Sequence, residues 1–309
     1  FTFPAGSILA PGEHACVARD AELFADAFPG TLLLGEFSGS LSRNGERLEL
    51  RDANSNPVDM VDYHDGGRWP AVADGGGSSL ELRDLEADNA AGGSWAASDE
   101  AGKTAWKNYT YRKVAGSSRG PDSQWREFNM GLLGSGEILI DDISVIEDPD
   151  GAASQKLNDT GFNNASLWRL RGNHRHSGII NDPDDPGNKV LRIVASGPTE
   201  HMHNQIETTL ASAVSNGRSY EISFRARWVS GSNQLHTRLY FNRCAGVHVI
   251  DRPGNPGSPA ELNSRTQANI GPSYTQMRHS PAVPAAGEIT RVSVAAGDPD
   301  GVAGMSLFY

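Results

Sequence analysis

With 309 residues, 38% of them hydrophobic, and 35 glycines and 17 prolines, the chain has room for two or three small cores joined by many turns, and little for long helices. Its formal net charge of -11 repels phosphate backbones, and no cluster of lysine or arginine offsets it, so nucleic acid is excluded as a partner. No run approaches the roughly 20 apolar residues of a membrane helix, so no membrane span is expected.

From the first residue to about Glu100, short apolar runs alternate with glycine-rich turns. Strands are predicted at Ala15 to Ala18, Arg47 to Arg51, Pro57 to Asp62 and Ser79 to Arg83. In the second of these, Leu48 and Leu50 share one face while Glu49 and Arg51 share the other, the period of two that marks a half-buried strand. One or two helical turns are expected over Ala21 to Ala27, with Asp20 as N-cap.

Phe3-Pro-Ala-Gly-Ser-Ile-Leu-Ala-Pro-Gly-Glu13, Gly39 to Leu50, Val58 to Tyr63, and Trp69-Pro followed by Asp74 to Leu82 together resemble the lamin tail domain of bacterial surface proteins. The resemblance covers residues 1–100 and implies an immunoglobulin-like sandwich, here lacking its usual opening strands. Such a sandwich exposes an edge and part of its core, which another segment is expected to cover.

Longer strands follow at Trp106 to Arg112, Gln124 to Met130, Glu137 to Val145, Lys189 to Val194, Ser219 to Trp228 and Gln234 to Phe241, a count that suits a jelly roll. Residues 104–244 resemble carbohydrate-binding modules of the galactose-binding-like fold. In those modules a strand like Ile138 to Val145 comes last, and an entry like Leu157-Asn-Asp-Thr-Gly-Phe-Asn163 followed by Trp168 comes first. The order is reversed here, so one permuted jelly roll is expected, with two half-domains of neighbouring modules as the alternative parsing. Residues 245–273, rich in Pro, Gly, Asn and Ser, read as a linker or long loop. Residues 274–309 resemble the start of a fibronectin- or immunoglobulin-like repeat, with strands expected at Ile289 to Val294 and Val302 to Tyr309 around the turn Gly297 to Gly301. The fold class is thus all-β: an immunoglobulin-like sandwich, a jelly-roll sandwich and a partial third sandwich.

Cys16 and Cys244 fall in segments assigned to different domains, so two buried thiols are expected and not a disulfide. The first residues lack the order of a signal peptide. Phe1 opens directly in a strand-and-turn pattern and the last residues form an apolar run, as expected of part of a longer precursor. Basic residues are mostly arginine, which fits a high-GC bacterial genome.

Three sets of residues bear on chemistry. His174-Arg-His176 and His201-Met-His203 would each place two imidazoles on one strand face at the spacing of transition-metal ligands, and the competing reading is a polar sheet face. The acidic loops Glu147 to Gly151, Asn181 to Gly187 and Asp298 to Gly301 offer the oxygens calcium needs, although Asp, Pro and Gly also make such turns for conformational reasons. The resemblance to carbohydrate-binding modules implies a structural calcium held by Asp142, Asn158 and Asp159. A sugar platform needs exposed aromatic rings, with Trp106, Trp125, Trp168 and Trp228 as the candidates for ligand binding and Tyr109, Tyr111 and Tyr240 also available. Most strand aromatics are core, so about two of the seven are expected at the surface.

No nucleophile elbow, zinc-protease helix motif or phosphate-cradling glycine loop is present, so the chain is not read as an enzyme. The expectation is a non-catalytic structural and adhesive protein, secreted or on a bacterial cell surface, whose jelly roll binds glycan or another surface polymer. Two alternatives stand beside it. One is a subunit of an extracellular filament or lattice in which identical copies share strands; the other is the accessory region of a larger secreted enzyme.

Overall fold

Alternating apolar and polar residues become short strands from one end of the chain to the other, and the computed structural model describes residues 1–199 and 204–308. The chain is all-β and divides into two units. The first comprises Phe1–Asp74, Ser79–Ser98 and Gly257–Tyr309, and the second Gly75–Ser78 and Asp99–Pro256. Among the described residues no helix is long and apolar enough to cross a membrane.

The chain begins with β1 (Cys16–Ala18), α1 (Ala21–Ala27), β2 (Leu33–Glu36), β3 (Glu46–Arg51), β4 (Pro57–Tyr63), β5 (Leu80–Leu82) and β6 (Trp95–Ala97). The Asp20 carboxylate accepts from the Leu23 N–H at 3.0 Å and caps α1, satisfying a donor the helix start would otherwise leave open. In this first unit β1 pairs β2 in parallel, while β3–β4 and β5–β6 are antiparallel pairs.

The second unit contains β7 (Lys107–Val114), β8 (Glu127–Leu132), β9 (Gly136–Glu147), β10 (Ser154–Gln155), β11 (Trp168–Leu170), β12 (Gly178–Asn181), β13 (Lys189–Ala195), β14 (Ile206–Thr209), β15 (Ser219–Gly231), β16 (Gln234–Leu239) and β17 (Arg243–Val249). They form two antiparallel sheets. The larger runs β12-β13-β9-β15-β7, with β10 beside β9, and the smaller runs β11-β14-β8-β16-β17. Strands on either side of Leu157 are thus interleaved, since β8 lies between β14 and β16 and β9 between β13 and β15.

Ile138, Ile140, Ile143 and Val145 of β9 join Phe128, Met130 and Leu132 of β8 and Tyr220, Ile222, Phe224 and Trp228 of β15 in one buried cluster. Strict alternation would send Ile140 and Ile143 to opposite faces. They share the core because Ser223 pairs Ser144 and Arg225 pairs Asp141, leaving two residues of β9 opposite one of β15. This is a β-bulge, with Asp142 at φ 49.

The chain then returns to the first unit, where β18 (Ser273–Ser280) and β19 (Arg291–Gly297) form an antiparallel pair. Two expectations change here. Residues 245–249, expected to open the linker, belong instead to the edge strand Arg243–Val249, and the last hairpin uses Ser273–Ser280, while residues 302 to 308 are in no strand. The side chains of β18 are almost all exposed, so the segment carries no clear apolar alternation to mark it.

Among the described residues, the first unit contributes nothing to the buried apolar cluster. Its best-buried side chains are polar: Glu81, Ser94 and Ser98. The Glu81 carboxylate, 4% exposed, accepts from the Ser258 N–H and hydroxyl, the Ser264 N–H and hydroxyl, and the Ser79 hydroxyl. The segment from Gly257 is thereby fastened to β5. Elsewhere in this unit Phe1, Phe3, Val17, Phe37, Leu48, Leu50 and Met60 line an open hollow of about 510 Å³. Cys16 and Cys244 are free thiols, Cys244 buried and Cys16 only half-buried, and burial pushes the Cys244 thiol up to about 11.

Candidate functional site

The smaller sheet of the second unit carries an ordered row of polar side chains on the face away from the core. Phe128 and Met130 are in the core cluster, so Asn129 between them belongs to the opposite face. Register then places Arg169, Glu207, Asn129 and Arg238 side by side, because Arg169 pairs Glu207, Glu207 pairs Asn129 and Asn129 pairs Arg238. Directly opposed residues of antiparallel strands share a face, so the row crosses β11, β14, β8 and β16.

Its internal partners are specific. The Arg169 guanidinium meets one oxygen of Glu207, and Arg171 reaches the other at 3.3 Å. The Asn129 amide nitrogen donates to Glu127. That bond fixes the amide orientation, since a carboxylate accepts and does not donate. Among the described residues the Asn129 Oδ1, buried in a residue only 1% exposed, has no partner. Arg238 donates through Nη1 to Asn242 Oδ1 and through Nη2 to Gln205 Oε1, both at 2.9 Å. His236, two residues along, is held below the usual histidine range by burial and then by the charge of Arg238, so it stays neutral near pH 7.

Where β8 begins and β16 ends, the row meets an aromatic group. Trp125 stacks on Tyr240 at 5.5 Å with the planes 23° apart, and Tyr240 meets Phe241 edge-on at 4.8 Å. Trp125 is 52% exposed. The arrangement is held from beneath by Arg243, which lies over the Tyr240 ring at 5.4 Å and donates to Asn216 Oδ1 at 2.7 Å. The turn from β16 to β17 is costly to build: Phe241, Asn242 and Cys244 have φ of 52, 58 and 50, a region ordinary side chains enter at roughly 1 kcal/mol or more each. Gly120 completes the support. It has φ +67, and a Cβ there would meet the Phe241 ring at 2.7 Å.

The four tryptophans named as candidate ligand-binding residues divide. Trp228 is fully buried, with its N–H donating to Gly231 O at 3.1 Å. Trp168 is buried against Phe162 at 5.1 Å. Both are core residues and offer no face to a ligand, because their strand positions turn them between the sheets. Trp106 is half-buried under the Arg225 guanidinium at 4.6 Å. Only Trp125 presents a ring to solvent, with Tyr240 half-buried behind it.

The histidine expectation also changes. Gly172–His174 is a single 3-10 turn and not a strand, so His174 and His176 do not share a face. His174 is fully buried; its Nε2 accepts from the Leu132 N–H at 3.0 Å and its Nδ1 lies 2.6 Å from Asn173 Oδ1. Burial pushes it down to about 4, and with both nitrogens engaged it is a core histidine. His176 is exposed beside Arg175. His201 and His203 lie outside the described residues.

The residues named for calcium are each engaged separately. Asp142, on the bulge of β9, pairs with Arg225 at 3.1 Å. Asn158 donates to Thr209 O at 2.9 Å, and Asp159 accepts from the Asn163 and Asn164 N–H groups. In the acidic loops, Asp148, Asp182, Asp185 and Asp298 accept from backbone N–H groups of their own turns, while Asp150 and Asp184 pair with Arg112 and Arg227. Among the described residues no three His, Cys, Asp or Glu side chains are grouped to hold a metal ion.

Asn129, Arg238 and Glu207 were not singled out from the sequence. The signal that could have found Arg238 is the alternation Gln234-Leu-His-Thr-Arg-Leu-Tyr240, which sets His236, Arg238 and Tyr240 on one side. Asn129 had no such marker, since its partners come from strands far away in sequence. Compared with family models, curated proteins and solved structures, the chain matches none.

Proposed function

We propose that the second unit is a glycan-binding module of a non-catalytic, secreted or cell-surface protein, and that the polar row of its smaller sheet and the Trp125 ring form the binding face. The observation that carries this reading is the exposed Trp125, backed by Tyr240, next to a row of hydrogen-bonding side chains that includes Arg169 and Arg238. Pyranose rings present apolar C–H faces that stack on such aromatics and hydroxyls that hydrogen-bond to such side chains. The likeness of residues 104–244 to carbohydrate-binding modules agrees with this reading.

The test is a glycan array followed by calorimetry on the hits. Trp125→Ala is expected to weaken binding by roughly tenfold or more, the loss of one stacked ring, with no change in thermal stability beyond that of a surface substitution. Absence of any glycan hit would sink the reading.

A second reading, assembly of identical copies through shared strands, is favoured by the apolar hollow of the first unit. There Phe1, Phe3, Leu48, Leu50 and Met60 are all more than a third exposed, an uncommon arrangement for a lone domain.

A further inference from the structure

Charge on the binding face is unevenly matched. Arg169 and Arg171 share the Glu207 carboxylate, and Glu127 is taken up by the Asn129 amide. Arg238, half-buried in the middle of the sheet, is held by two neutral amide oxygens, Asn242 Oδ1 and Gln205 Oε1. Among the described residues no carboxylate lies within ion-pair distance of it. The two amides fix the plane of the guanidinium and use one N–H on each terminal nitrogen, leaving three of its five N–H donors uncommitted.

A planar guanidinium held by neutral amides and already oriented by them is suited to a carboxylate, which it can meet with two parallel hydrogen bonds. The neighbouring aromatic group restricts what can carry that carboxylate. The Trp125 ring, two residues before β8 and 52% exposed, is matched by an apolar ring face. A carboxylate and an apolar ring face occur together in a uronic acid.

We infer that the face selects acidic glycans, with the carboxylate of a uronic acid residue on Arg238 and the sugar ring against Trp125. This rests on the glycan-binding reading above and adds the class of sugar.

The experiment is calorimetric titration of the whole chain with uronic acid oligosaccharides (galacturonate, glucuronate and mannuronate trimers) and with their methyl esters, which keep the ring and hydroxyls but remove the charge. At least one acid is expected to bind tenfold or more tighter than its ester, with affinity falling as salt is raised. Arg238→Gln is expected to bring acid and ester to similar affinity, while Trp125→Ala weakens both. If esters or neutral oligosaccharides bind as tightly as acids, and Arg238→Gln changes nothing, selection by charge is overturned and the glycan reading stands. If neither acids, esters nor the glycans of an array bind, both fall. Because the comparison of acid with ester is made on the unaltered protein, the inference remains testable even if a variant does not fold.

Discussion

Glu81 shows how a single buried carboxylate can organise a unit that lacks an apolar core. Burial pushes its pKa up, but the donors from Ser264, Ser258 and Ser79 outweigh that and hold it below the ordinary carboxylate range. A group whose folded pKa is depressed stabilises the fold above its unfolded value, near 4.5, and the contribution disappears as pH falls through the lower folded value. Glu81→Gln turns an acceptor into a donor facing other donors, at an expected cost of about 1–3 kcal/mol at pH 7. The gap between wild type and variant in urea unfolding, followed by the fluorescence of the packed pair Trp69 and Trp95, is expected to narrow as pH drops from 7 to 3. A gap independent of pH would show that the carboxylate charge is not what fastens the segment. Residues of this kind are invisible to pattern reading: the alternation Ser79 to Arg83 predicted a strand, yet nothing nearby indicated that Glu81 would be its most buried member, because its partners lie at Ser258 and Ser264.

Among the elements, β9 is the one whose pattern departs most from its appearance. Ile138, Ile140, Ile143 and Val145 cannot all face one way in a regular strand; the bulge at Asp142 makes it possible and leaves Asp141 and Asp142 both beside Arg225. Asp142→Gly frees the left-handed residue at the loss of an ion pair whose carboxylate is mostly exposed and worth little, so stability is expected to stay within about 0.5 kcal/mol of wild type. Asp142→Val places a β-branched side chain at φ 49 and is expected to cost about 1–2 kcal/mol. Urea melts of the two variants decide this, and a valine variant as stable as wild type would mean that β9 had slipped to a regular register. Strand existence was legible in the sequence at β3, β7, β9, β13, β15 and β16, where alternation runs over several residues, and the Asp20 cap announced α1. The faces were less legible. A tryptophan in or beside a strand reads the same whether it points between the sheets, as Trp168 and Trp228 do, or outward, as Trp125 does just before β8. The polar segment of β18 and the 3-10 turn at His174 escaped notice because exposed strands and short turns leave no period to read.

For the molecule as a whole, the two units rest on different physics. One is built on a continuous apolar cluster between two sheets; the other is held by polar clasps and two-stranded pairs, and leaves an open apolar hollow. If copies of the chain share strands through that hollow, light scattering is expected to show mass rising with concentration, and Leu48→Glu or Met60→Glu to return it to the monomer value. A single mass, unchanged on hundredfold dilution, would dispose of assembly and leave the glycan reading alone. The interleaving of the second unit has one more consequence, which concerns its synthesis on the ribosome. β7 finds its partner only in β15, roughly a hundred residues later, which at translation rates of about 5–20 residues per second leaves it waiting on the order of 5–20 s. During that interval β8 and β9 also stand without their principal neighbours, with Phe128 and Met130 of the one and the isoleucines of the other uncovered. A chain with this topology depends on holding factors, or on delayed collapse, while the second half of the sandwich is made.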